Sequence, residues 1–155
     1  MKKFLLLMQL QPDIFQAIVT HTPLVSIDLI VHDRQGRVLL GWRRNRPAQG
    51  CWFVPGGRVN KDESLAAAFR RLSRVELGVE LNRDTASFRG VFEHFYSDCF
   101  AGGQTSTHYV VLAHDLLVDG LAQLPLAQHS DFRWFSPEEL IADPQVHENV
   151  KVYFS

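Results

Sequence analysis

The segment from Gly57 to Val79 (GRVNKDESLAAAFRRLSRVELGV) constrains the fold more than any other part of the chain. Leu65, Phe69, Leu72 and Glu76 recur at three- and four-residue intervals and share one stripe, which predicts a helix from Ser64 to Leu77. Asn60 followed by Glu63 has capping-box spacing at its start, and Gly78 suits the left-handed position that closes a helix. Just upstream, Pro55-Gly56-Gly57 is expected to form a sharp turn that neither helix nor ordinary strand accommodates. Glu76 is the one charged member of an otherwise apolar stripe, which argues against an ordinary solvated position.

Strand patterns flank this helix on both sides. Pro12 to Val19 reads as a short helix with proline in its first turn, ended by Pro23. Leu24 to Val31 and Arg37 to Arg44 read as strands joined by an Asp33-Arg34-Gln35-Gly36 turn, and Cys51 to Val54 as a third, short strand after the loop Asn45 to Gly50. Beyond the central helix come two β-rich stretches, Ser87 to Tyr96 and Thr107 to Val118, separated by Gly102-Gly103. Asp131 to Phe135 is a last short strand after the loop Gly120 to Ser130. Ser136-Pro137-Glu138-Glu139 then carries the cap, proline and acidic first turn of a further helix. The order α-β-β-β-α-β-β-β-α predicts an α/β fold, a mixed sheet with helices on its faces, and one domain spanning residues 1–155.

Of 155 residues, 46% are hydrophobic, enough to bury a real core. Sixteen Lys and Arg against 17 Asp and Glu give a net charge of -1, so no bulk field recruits nucleic acid or an anionic membrane, and phosphate chemistry must rest on placed arginines. Cys51 and Cys99 lack CxxC spacing and are expected to be reduced thiols in a cytoplasm, acting as small hydrophobes. Met1-Lys2-Lys3 and the following apolar run imitate a signal peptide, but the run stops at Gln9 with no small-residue cleavage site. No stretch is long enough to span a bilayer.

The segment Gly57 to Val79 resembles the Nudix box: Gly57, Glu63, Arg71, Glu76, Gly78 and Val79 all fall at its fixed positions. Leu72 and Val75 stand where the pattern has glutamates, so only Glu76 remains of the usual metal-binding cluster. Two readings of that loss are open: a domain that only binds, or a one-metal variant that breaks a different bond. Residues 22–28 (TPLVSID), 45–50 (NRPAQG), 52–58 (WFVPGGR), 92–96 (FEHFY), 107–112 (THYVVL) and Gln128-His129 together resemble the GDP-mannose mannosyl hydrolases, from about Gln11 to Phe154. That family shares these departures inside the box.

The resemblance implies a Nudix fold with its mixed sheet sandwiched between helices. It implies hydrolysis of GDP-mannose, GDP-glucose or both to GDP and free sugar by attack of water at the anomeric carbon, with inversion. One Mg²⁺ per active site, with Mn²⁺ as a substitute, would be held by Glu76, the Gly56 carbonyl and Gln128. His129, expected in the loop before the last core strand, would deprotonate water near neutral pH. Arg43 and Arg58 would stabilise departing GDP, while Arg71 both orders the loop and contacts substrate. Asp28 interrupts an apolar strand and must meet either an arginine or the polar sugar; the resemblance favours the sugar. His94 and Tyr109 are placed near the substrate, and Glu63 is assigned to structure as a helix cap and arginine partner. The family pattern implies a homodimer. It also leaves residues 1–8 as an extension, with Met8 an alternative start, and implies a tail beyond Ser155. The rival readings are an ordinary Nudix pyrophosphohydrolase, which attacks at phosphorus, and a silent GDP-sugar-binding module.

Overall fold

Strand β1 (Leu24–His32) buries both of its alternating sets: Ile27, Leu29 and Val31 on one face, Ser26, Asp28 and Ile30 on the other. Only a central strand covered on both sides tolerates that pattern. The structure, a computed structural model describing residues 10–102, 104–121, 124–125 and 129–155, places β1 at the middle of a mixed sheet. On one side β6 (Thr107–Leu117) runs parallel to it along its whole length, with β5 (Ser87–Tyr96) antiparallel beyond as the outer strand. On the other side the edge of β1 is shared. β2 (Val38–Arg43) pairs with it at His32–Val38, after the Asp33–Gly36 turn in which the Asp33 carboxylate accepts from the amides of Gln35 and Arg37. β4 (Gly56–Arg58) pairs with Ser26 to Asp28. β2 then diverges from β1 and carries β3 (Trp52–Phe53) and β7 (His129–Phe135). The sheet therefore forks between β4 and the β2–β7 pair.

Residues 55–57 depart from the expected sharp turn. Leu29 donates its amide to the Pro55 carbonyl at 2.8 Å, which continues the β1–β4 ladder and keeps this stretch extended. The two glycines answer to crowding instead. A Cβ on Gly56 would lie 2.4 Å from the Ile27 carbonyl oxygen, and one on Gly57 would lie 2.5 Å from Leu72 Cδ2.

Helix α1 (Pro12–His21) runs slightly beyond its expected end and sets Phe15, Ile18 and Val19 against Leu24, Cys99 and Tyr109. Helix α2 (Leu65–Leu77) covers one face of the sheet, with Phe69, Leu72 and Leu77 on Ile27, Leu29, Val31 and Leu39. Its cap is Ser64, whose hydroxyl accepts from the Ala67 amide at 3.1 Å, rather than Asn60. Glu63 instead accepts the Asn60 amide at 2.9 Å and pairs with Arg71, a loop brace just outside the helix. Gly78 closes the helix at φ 74°, as expected. The C-terminal segment covers the opposite face through α3 (Pro137–Ala142), with its Ser136–Glu139 capping box, and α4 (Glu148–Lys151), which the sequence pattern did not suggest. Leu140, Val146, Val150 and Tyr153 pack there on Ile30, Leu40, Phe53 and Phe135. A mixed sheet thus lies between helices, as the pattern predicted. Cys99 is buried, Cys51 half-buried, and both are free thiols. No helix among the described residues is long and apolar enough to cross a membrane.

Candidate active site

Glu76 and His129 meet at the fork in the sheet. α2 supplies Glu76, which is 4% exposed and receives no hydrogen bond among the described residues. Its Oε2 lies 3.7 Å from Nδ1 of His129. Burial pushes the Glu76 carboxyl up to about 7, against the opposing charges of Arg43 and Arg71. A buried carboxylate with no donor is the kind of group a divalent cation would satisfy, so this part of the site fits a metal. Glu76 could hold it together with the Gly56 carbonyl on β4, where α2 packs and Leu72 lies directly under Gly57. Gln128, the third expected ligand, lies outside the described residues. Among the described residues no three His, Cys, Asp or Glu side chains gather as a metal cluster.

His129 is the first residue of β7 rather than part of the preceding loop, and it pairs with Arg43 where the β2–β7 register shifts. Its ring lies over Gly41, where a Cβ would approach Cγ to 2.5 Å, and edge-on to Phe132. Burial, then the Arg43 charge, pushes the imidazole down to about 4. The neutral form is therefore already present at neutral pH, and the expected titration near neutrality is displaced to acid. Its Nε2 is buried without a partner among the described residues.

Arg43 is the electrostatic centre of the group, since its charge acts on Asp28, Glu76 and His129 alike. It ends β2 and braces the following loop by donating from Nε to the Pro47 carbonyl at 3.1 Å. It also lines a cavity of about 640 Å³ with Gln49, Phe100, Thr107 and Tyr109. Arg58, at the end of β4, lies with its guanidinium 4.3 Å from the centre of the Phe15 ring and pairs with no acid among the described residues. Arg71 is differently employed: it donates to Glu63 at 2.7 and 3.0 Å and to the Arg58 carbonyl at 2.8 Å. That arrangement braces the loop between β4 and α2, the structural half of its expected role.

Asp28 and His94 lie on the face opposite α2, beneath the C-terminal segment. The partner of Asp28 in the protein is a tyrosine rather than an arginine: the Tyr153 hydroxyl donates to Oδ2 at 2.6 Å. Burial raises Asp28 to about 7 despite that hydrogen bond and the Arg43 charge. The same hydroxyl lies 3.2 Å from Nε2 of His94. Burial, then His147, pushes His94 down to about 4. Tyr109 pairs in register with His94 and stands in the cavity wall, its hydroxyl raised by burial.

Glu76 and His129 thus meet directly, Asp28 and His94 meet through Tyr153, and Arg43 acts on both groups. Sequence reasoning passed over Tyr153 altogether. Its one trace was Asp28, since a buried acid demands a donor, but the pattern could not say which of the later residues supplies it.

The model of the NUDIX domain matches residues 22–154. The chain is 43% identical over 125 residues to the low-salt glycan biosynthesis protein Agl8 of Haloferax volcanii, covering 81% of this chain and 78% of that protein. It is 28% identical to the CTP pyrophosphohydrolase of Escherichia coli K12 over 78% of this chain and 82% of that one. The fold is also that of the MutT protein from Methanosarcina mazei Go1, with a TM-score of 0.70 at 22% identity over 86% of this chain and 92% of the other. With the family pattern running from the first strand to the last helix, the chain belongs to the NUDIX hydrolases.

Proposed function

We propose that the protein hydrolyses a GDP-sugar, GDP-mannose or GDP-glucose, to GDP and the free sugar by attack of water at the anomeric carbon. The observation that carries this reading is that α2 offers one carboxylate to the site. Glu76 is buried at the fork, whereas Leu72 is packed under Gly57 and Val75 is 40% exposed to solvent. Nothing on that helix can hold a second cation through a carboxylate. One Mg²⁺, with Mn²⁺ as a substitute, bound through Glu76, the Gly56 carbonyl and Gln128, would neutralise charge on the diphosphate. His129, neutral and with an Nε2 that has no partner among the described residues, takes the proton of the attacking water. Arg43 and Arg58 offer guanidinium donors to the leaving GDP, and Asp28, His94 and Tyr109 surround the sugar. The same reading makes the protein a cytoplasmic homodimer. The glycan-biosynthesis relative lends support to a sugar nucleotide.

The CTP pyrophosphohydrolase relative favours a second reading, in which water attacks phosphorus. Chromatography of the products from GDP-mannose tests the two: GDP with free mannose supports the proposal, and GMP with mannose 1-phosphate supports the alternative. Arg43→Ala should lower kcat by on the order of a hundred-fold, as loss of a transition-state donor does, with a smaller rise in KM. A change confined to KM would make Arg43 a ground-state binding residue.

A further inference from the structure

Tyr153 is held from three sides. Its ring is 5% exposed, stands edge-on to Phe92 at 4.8 Å and 86°, and lies beside His94 at 5.8 Å. Its amide donates to the Val150 carbonyl at 3.1 Å. Its carbonyl accepts from Arg89, which the Asp115 carboxylate grips at 2.7 and 2.8 Å and whose guanidinium also lies over Phe154. A surface ion pair thus anchors the turn that carries the buried hydroxyl.

That hydroxyl has one hydrogen, and at 2.6 Å it goes to Asp28 Oδ2. Its oxygen then accepts from the Nε2–H tautomer of His94 at 3.2 Å. With Oδ2 engaged, the Asp28 carboxyl cannot rotate freely. Oδ1 receives no protein hydrogen bond among the described residues, and it lies beside β4, where a Cβ on Gly56 would lie 2.8 Å from it. Glycine keeps that approach open.

We infer that Tyr153 is a positioning residue, fixing the Asp28 carboxyl through Oδ2 so that Oδ1 is presented to a hydroxyl of the sugar. The inference rests on the GDP-sugar reading above. Because Tyr153 acts through Asp28, the two must behave as one unit.

The test is a double-mutant cycle of Asp28→Asn and Tyr153→Phe, with GDP-mannose as substrate and GDP as competitive inhibitor. Tyr153→Phe keeps the ring and its packing. It should lower kcat by roughly ten- to a hundred-fold, as a small misplacement of a contact does, while inhibition by GDP, which has no sugar, stays at the wild-type value. Added to Asp28→Asn, it should cost almost nothing more. Wild-type turnover in Tyr153→Phe, fully additive losses, or a parallel weakening of GDP inhibition would each overturn the inference and leave Tyr153 a packing residue. Wild-type enzyme that releases GMP would instead remove the reading beneath it, and the inference with that reading, whatever the variants do.

Discussion

Glu76→Gln should abolish most of the Mg²⁺ dependence and lower turnover by on the order of a hundred- to a thousand-fold, the rate equivalent of several kcal/mol of charge stabilisation. The fold should survive, because glutamine keeps the shape of the side chain and removes a buried charge that no hydrogen bond among the described residues satisfies. Thermal denaturation with and without Mg²⁺ separates the two effects. The ion should raise the Tm of the wild type, by selective binding to the folded state, and leave that of the variant unmoved. Full activity in Glu76→Gln, or equal stabilisation of both proteins by Mg²⁺, would remove Glu76 from the metal site.

His129→Ala should slow turnover by roughly a hundred- to ten-thousand-fold, the range for loss of a positioned general base. The ring is buried between Gly41, Phe132 and Glu76, so its removal leaves a space beside the proposed water position. Exogenous imidazole should enter that space and restore part of the rate. Burial, then the Arg43 charge, keeps the native ring in its neutral form at neutral pH, so free-base imidazole is the species expected to rescue. Turnover close to wild type in the alanine variant would show that another group takes the proton.

How much of this was legible in the sequence differs from element to element. Helix α2 followed from its apolar stripe and Gly78, because both are local signals with a fixed period. β4 did not: Pro55-Gly56-Gly57 has turn composition, and its glycines are required by contacts with Ile27 and Leu72 that only the assembled sheet creates. α4 is too short for a periodic pattern to announce it. At the site, Glu76 stood out because a charge on an apolar stripe needs a reason, and the structure buries it as that pattern demands. Val75 gave no such signal: apolar in the box, it is 40% exposed to solvent in the fold. The pairing of Asp28 with Tyr153 lies furthest from any sequence signal, as it joins the first strand to the C-terminal turn.

One carboxylate on α2 and the proposed base at His129 matter mechanistically only if the bond broken is the one to the anomeric carbon. Hydrolysis of GDP-mannose in ¹⁸O-labelled water, followed by mass spectrometry of both products and NMR of the sugar as it forms, tests directly which bond breaks. Direct displacement by water, with no covalent sugar intermediate, must invert the anomeric centre. The label should therefore appear in mannose and be absent from GDP, and the first sugar detected should be the inverted anomer. Label in a phosphate, with GMP and a sugar phosphate as products, would place the attack at phosphorus and make the enzyme a pyrophosphohydrolase that works with one carboxylate on α2.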